Sequence, residues 1–293
     1  MVRGDPCAST RANPAAPVSI GAVSGETDEL TRQARHRARI FGATRAISDR
    51  LVDLVDPRPG DTILELAAGT GETGFLVADR RGTDGRIICT DFSEGMVQAA
   101  QRVATERRLA NVECRMIDAQ AIDLPDTSVD GVLSRFGLML VADPRRALQE
   151  SLRVLRPGGR LAYAVWGAID RNPWITVLVG AVLQHGHTPG GDPFGPGGLF
   201  SLAEPERNKQ LATDAGFADI GVEEVSGAMQ ADSLDDYWDF QSSISGPVAT
   251  LLATLSLDER DAIRAAFKSA AEPYRASDGY RLPFCAVVLH ATR

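Results

Sequence analysis

Reactive and metal-binding side chains are sparse in this sequence. Its 293 residues include four cysteines and four histidines, and Cys7, Cys89, Cys114 and Cys285 show no CxxC spacing and no close histidine partner. That pattern argues against a thiolate metal site; the thiols read as buried or incidental, which suits a reducing, cytoplasmic setting. Long apolar runs are missing too. None approaches the roughly 18 to 20 residues that cross a bilayer, so no transmembrane segment is expected. Met1 to Gly25 is rich in Ala, Pro, Ser and Gly and lacks an apolar h-region, so residues 1–25 read as a disordered tail and not a signal peptide. Positive charge is in deficit. A formal charge of −8 opposes binding to a phosphate backbone, and the best basic patch, Arg32, Arg35, His36, Arg37 and Arg39, reads as the solvated face of a helix. No nucleic-acid partner is expected. Repeats are absent as well.

What is present is ordinary for a globular chain: 44% hydrophobic and 24% charged residues. Ile40, Ala43, Ile47, Leu51 and Leu54 share one helical face within residues 26–54. Strand and helix signals then alternate for about a hundred residues. Strands are expected at Thr62–Leu66, Arg86–Thr90, Asn111–Ile117, Val129–Ser134 and Leu161–Trp166. Between them, helices start at Glu72, after the N-cap Ser93, and after the N-cap Asp143 with Pro144 in the first turn. Such alternation implies a parallel sheet with right-handed crossovers. Further on, the Gly- and Pro-rich residues of about 185–200 suggest a mobile lid, and about 233–271 an inserted helical cap. Ile220–Val225 and Leu282–Leu289 are expected as late strands.

The sharpest motif is Ile63-Leu64-Glu65-Leu66-Ala67-Ala68-Gly69-Thr70-Gly71-Glu72-Thr73-Gly74, a strand feeding a Gly-rich turn that opens a helix. Its Gly-x-Gly-x-x-Gly spacing also fits a dinucleotide site, which keeps a nicotinamide-dependent, NAD(P)-linked oxidoreductase open. Glu65, four residues before the first glycine, favours another ligand: a pyrophosphate has no use for a carboxylate there, whereas a ligand carrying an ammonium group does. The bland alternative is an exposed strand-end acid. Asp91 follows the second strand, where an acid can accept both hydroxyls of a ribose. Phe92 and Met96 are placed to cover a base, or else belong to the core. Asp118, after the third strand, can accept from an adenine amino group while the Ala119 amide donates. Ser134-Arg135-Phe136 lines the site through its backbone more than its side chains.

These motifs, together with Leu155-Arg156-Pro157-Gly158-Gly159-Arg160-Leu161, resemble class I S-adenosylmethionine-dependent methyltransferases, and within them the ubiquinone/menaquinone C-methyltransferase-like subgroup. The resemblance spans about residues 40–167. It implies an α/β fold: a Rossmann-like doubly wound seven-stranded sheet, last strand antiparallel, with a helical cap insertion, all within residues 26–293. It also implies S-adenosylmethionine as cofactor, with Glu65, Gly69 and Gly71 contacting the methionine portion, Asp91 the ribose, and Asp118 and Ala119 the adenine; Ala67, Phe92, Met96 and Ser134 are candidates from their places beside these residues. Ala67-Ala68 departs from the Gly-Cys or Gly-Ser common in the family. Ser134-Arg135-Phe136-Gly137 lacks the Asn-Pro-Pro-aromatic motif of enzymes that methylate nucleic-acid bases.

The expected activity is methyl transfer to an O, N or C atom of a hydrophobic small molecule such as a quinol or phenol. Trp174, Phe194, Phe200, Tyr237, Trp238 and Phe240 line its pocket or merely pack the cap. Catalysis needs mainly in-line alignment, for which proximity supplies about 7 to 11 kcal/mol. A base is required only if the acceptor must lose a proton, and His36, His185 and His187 are the candidates. A non-catalytic, methyltransferase-like binding subunit is the remaining alternative. A homodimer is compatible with the sequence and not required by it.

Overall fold

The computed structural model describes His36 and residues 38–82, 84–244 and 246–293. The tail 1–25, the start of the first helix, Cys7, Arg32, Arg35 and Arg37 lie outside the described residues. Residues 38–43 are helical, and the helix loosens to a turn at Thr44 (φ −100°, ψ 12°), whose backbone N–H keeps the helical bond to the Ile40 carbonyl (2.9 Å) while its Oγ1 donates to the same oxygen (2.7 Å). The helix resumes as α1, Arg45–Val55, which buries Ile47, Leu51, Val52 and Val55 along one face.

The alternating segment then runs β1 Thr62–Glu65, α2 Glu72–Arg81, β2 Arg86–Asp91, α3 Glu94–Glu106, β3 Val112–Met116, β4 Val129–Arg135, α4 Pro144–Val154 and β5 Leu155–Trp166. Ser93 caps α3 through the Met96 N–H, and Asp143 caps α4 through the Arg146 N–H. α5 Pro173–Gln184, α6 Pro205–Ala215 and β6 Ala218–Ala231 follow. The cap helices α7 Leu234–Ile244, α8 Gly246–Thr254 and α9 Leu257–Ala271 come next, then the two-residue β7 Arg275–Ala276 and β8 Gly279–Thr292. Among the described residues no helix is long and apolar enough to cross a membrane.

The sheet order is β3-β2-β1-β4-β5-β8-β6, with β7 paired to β8. β1 to β5 are parallel, and β8 is antiparallel to both β5 and β6, as expected. The order reverses between β1 and β4, so the carboxyl ends of those strands open a crevice where α/β sheets hold ligands. Helices cover both faces: Val55 of α1 packs over Gly131 on one, while Tyr163 donates to Asn208 Oδ1 of α6 (3.0 Å) on the other.

Four elements differ from the sequence expectation. α5, to which the sequence reading assigns nothing, is apolar nearly all round because it lies between α9 and β8. Asn172 fixes its start by donating to the Cys285 carbonyl (3.1 Å) and accepting from the Cys285 N–H (3.1 Å). Arg156 to Gly159 bulge within β5, since the register jumps from Val129↔Leu155 to Gly131↔Arg160. β6 and β8 are far longer than expected. Gly227, two residues past the expected strand end at Val225, sits beneath the Phe284 ring, and a Cβ there would collide with it. The β5–β8 pairing stops at Trp166↔Ala286, whereas β6–β8 continues to Ala231↔Tyr280. A two-stranded ribbon therefore projects past β5 by roughly 20 Å, at about 3.4 Å per residue, and carries the cap at its end.

Candidate functional site

Four neighbouring strand ends converge at the crevice: Glu65 ends β1, Asp91 ends β2, Asp118 follows β3, and Ser134 and Arg135 end β4. The turn after β1 has positive φ at Ala67 (49°), Gly69 (57°) and Gly71 (86°). Gly71 also lacks room for a side chain, because Phe75 lies directly beneath it. The turn is tied to β2: the Ala68 N–H donates to the Thr90 carbonyl (2.8 Å) and the Gly69 N–H to Asp91 Oδ2 (2.9 Å). Ala67, where the family often has glycine, holds a left-handed conformation that disfavours a Cβ. Its methyl group is accommodated opposite Gly137, where a side chain would strike it.

Glu65 is not an exposed strand-end acid. It is 2% exposed and faces the first turn of α2, where Oε2 accepts from the Gly74 N–H (2.8 Å) and lies 3.5 Å from Cys89 Sγ. Burial pushes its carboxyl up to about 7, against the opposing effects of the Gly74 N–H and the Arg135 charge. Gly74 lets this happen: an added Cβ would lie 2.6 Å from both Glu65 Oε2 and Cys89 Sγ. The third glycine thus serves the close approach of helix to strand, and not a ligand directly.

Asp91 holds the turn with one oxygen and the Ser93 N–H with the other (2.9 Å), leaving its remaining lone pairs open to hydroxyl donors. Beside it stand Phe92 and Met96, 78% and 42% exposed, and Met116, its register partner across β2–β3, 64% exposed. So many bare apolar side chains at adjoining strand ends form a ready surface for a flat ligand. Phe92 and Met96 are therefore not core. Met116 escaped the sequence reading, although its alternation with the buried Ile117 was the available signal. Asp118 Oδ1 accepts from the Gln120 N–H (2.8 Å), which fixes the loop and leaves Ala119 buried beside it. Ser134 Oγ is buried without a protein partner in the wall of the crevice next to Ala67 and Gly137, an orphan hydroxyl suited to a polar ligand atom. Positive φ at the turn, the open Asp91 oxygens, the bare apolar row and this hydroxyl together fit a ligand with ribose, base and polar-arm portions.

Past β4, Phe136 has positive φ (60°) and stacks on Trp166 at 3.9 Å; Trp174 (4.7 Å) and Phe284 (5.7 Å) extend the aromatic wall. Leu140, four residues past Phe136, is exposed, as is Phe194 in the 185–200 segment. The 185–200 segment is fastened at its far end, where Phe200 is buried and Ser201 Oγ donates to the Met139 carbonyl (2.7 Å). Of the other aromatic candidates, Tyr237 donates to the Trp174 carbonyl, Trp238 packs edge-on against Phe267, and Phe240 packs against His36, so these three build the cap. The histidines are engaged outside the crevice: His36 Nε2 with Asp239 (3.3 Å), His185 Nδ1 with the Ala181 carbonyl (2.9 Å), His187 Nε2 with Glu259 (3.8 Å). No metal-binding group of His, Cys, Asp and Glu occurs among the described residues.

Comparison with known proteins agrees with this geometry. A methyltransferase-domain family model matches residues 64–163. The chain is 38% identical over 122 residues to the ubiquinone/menaquinone biosynthesis C-methyltransferase UbiE of Hydrogenovibrio crunogenus, covering 41% of this chain and about half (48%) of that protein. It is 30% identical over 199 residues to the demethylmenaquinone methyltransferase of Paenarthrobacter aurescens, covering 65% of this chain and 76% of the relative. In fold it is similar to Haemonchus contortus phosphoethanolamine N-methyltransferase 2, solved with S-adenosyl-L-methionine (TM-score 0.53, 20% identity, 85% of this chain and 52% of that one). The glycine turn, the acids at successive strand ends and these alignments agree: the chain belongs to the class I S-adenosylmethionine-dependent methyltransferases.

Proposed function

We propose that the chain transfers a methyl group from S-adenosylmethionine to an O, N or C atom of a hydrophobic small molecule of the quinol or phenol class. The observation that carries the cofactor half is Asp91, which links the glycine turn to the start of α3 and keeps oxygens free beside the bare Phe92, Met96 and Met116. Asp91 accepts the ribose hydroxyls; Asp118 and the Ala119 N–H take the adenine edge, and Phe92 and Met96 cover its face. Ala67, Gly69, Gly71 and Ser134 line the methionine arm. Glu65, being buried, faces the turn from beneath and shapes it through the Gly74 N–H, and does not reach the ammonium end by open contact. When bound, the cofactor supplies a sulfonium-activated methyl. The protein aligns the acceptor and excludes water, which the Phe136–Trp166 stack and the neighbouring Trp174 and Phe284 suit.

Relatives that methylate ubiquinone and menaquinone precursors support a quinol-type acceptor, and the formal charge of −8 supports a small molecule over a nucleic acid. Family membership displaces the nicotinamide reading left open by the glycine spacing. Calorimetry with S-adenosylhomocysteine and with NADH tests the cofactor: binding of the first alone is expected, and binding of NADH alone would overturn it. A panel of quinols, phenols and amines incubated with methyl-labelled cofactor and scored by product mass tests the acceptor. Label only on amines would overturn the quinol or phenol assignment.

A further inference from the structure

Arg135 makes a set of contacts that the cofactor site alone does not account for. It closes β4 with a side chain only 12% exposed. Nε donates to Thr73 Oγ1 (3.1 Å), Nη1 donates to Thr44 Oγ1 (2.9 Å), and Nη2 lies 3.7 Å from Glu72 Oε2. The guanidinium carbon is 5.5 Å from the Phe41 ring and 5.9 Å from the Phe136 ring. Thr73 adjoins Gly74, whose N–H holds Glu65. Thr44 and Phe41 belong to the helical turn and the segment before it. That segment reaches the cap, since Arg39 pairs with Asp236 (2.5 Å) and lies over the Phe240 ring, and His36 pairs with Asp239. One buried cation therefore touches the cofactor turn, the helical segment 38–44 and the aromatic wall. A guanidinium is suited to this because its planar fork donates in several fixed directions at once.

We infer that Arg135 is a positioning residue that couples occupancy of the glycine turn to the placement of residues 38–44 against the cap, an inference that rests on the proposed cofactor reading. Filling the turn fixes Thr73 and Glu72; Arg135 passes that constraint to Thr44 and Phe41, and Arg39 passes it to α7. Coupling of this kind is reciprocal, so loosening the segment weakens cofactor binding as well. Arg135→Met removes the donors and the charge. Arg135→Lys keeps the charge but cannot bridge Thr44 and Thr73 together.

The test is calorimetry with S-adenosylhomocysteine on the 293-residue chain, together with amide hydrogen exchange of residues 38–44 and 234–244 with and without that ligand. In the parent, ligand is expected to slow exchange in both segments. In Arg135→Met, affinity falls about tenfold, as expected for losing hydrogen bonds to a charged group, and the ligand-dependent protection of both segments disappears. Arg135→Lys recovers affinity only in part, to the extent that the charge and not the bridge supplies it, and does not recover protection, a split that a merely structural role would not produce. Should Arg135→Met fail to fold, Thr44→Val removes a single bond of the bridge and is expected to reduce the ligand-dependent protection at 38–44 and, with it, at 234–244. Parent-like affinity and protection in the variants overturn the inference while leaving the cofactor reading intact. Failure of the parent to bind the ligand overturns both.

Discussion

Replacing Gly74 by alanine sets two physical effects against each other. Helix propensity favours the change by about 1 kcal/mol, since Gly74 lies in the first turns of α2 with no positive φ. Packing opposes it. The new Cβ would stand 2.6 Å from Glu65 Oε2, 2.6 Å from Cys89 Sγ and 3.2 Å from Ile87 Cγ2, all on buried side chains of β1 and β2. None of them is the free end of a surface side chain. Overpacking of this kind costs about 1–3 kcal/mol. Any shift of α2 that relieves it also stretches the 2.8 Å bond from the Gly74 N–H to the buried carboxyl, worth about 1.5–3 kcal/mol. The net is a loss of about 2 kcal/mol, which in a chain of this size lowers the melting temperature by roughly 4–8 °C. Circular dichroism melts check the stability, and calorimetry with S-adenosylhomocysteine should show weaker binding as Thr73 and Gly71 move with the helix. A Gly74→Ala chain that melts at or above the parent temperature refutes the packing argument and leaves propensity in control.

Asp91→Ala is expected to weaken S-adenosylhomocysteine at least about thirtyfold by calorimetry, since it removes the ribose acceptor and frees the Gly69 and Ser93 amides; a change under threefold contradicts the ribose assignment. Phe92→Ala should cost roughly fivefold in the same titration while shifting the melt by under about 1 °C, because the ring is exposed. Glu65 gives a pH prediction. In the fold its carboxyl holds a proton up to about 7, against an ordinary 4.5, so between those values the native chain binds a proton that the unfolded chain has released. Stability therefore falls as pH rises through that window, by up to about 3 kcal/mol. Urea titrations from pH 5 to 8 should show Glu65→Gln flattening the decline, and parallel slopes in the two proteins would count against it.

The parts of the molecule legible in sequence are those encoded within one strand end and its turn. Thr62 to Gly74, Asp91 and Asp118 each declare themselves within a dozen residues, and parallel pairing brings them together without further instruction. What escaped depends on distant partners. α5 has little polar face to reveal its period because α9 and β8 both cover it. β6 runs through Gly227 because Phe284, on another strand, fills the space. Arg135 reads in sequence as backbone lining, yet its partners Thr44 and Thr73 lie 91 and 62 residues away. The histidines are conspicuous in a sequence because they titrate, yet their surroundings depend on distant partners too: His36 meets the Phe240 ring edge-on and pairs with Asp239.

The ribbon of β6 and β8 that outruns β5 has a consequence for how such a protein can change. Residues 232–278 enter and leave at its far end, so they can be lengthened, shortened or exchanged without moving any paired residue of β1 to β5. Variation confined there would reshape the roof over the aromatic wall while leaving Glu65, Asp91 and Asp118 where they stand. A lineage built on this sheet can thus change its roof by trading one helical insertion.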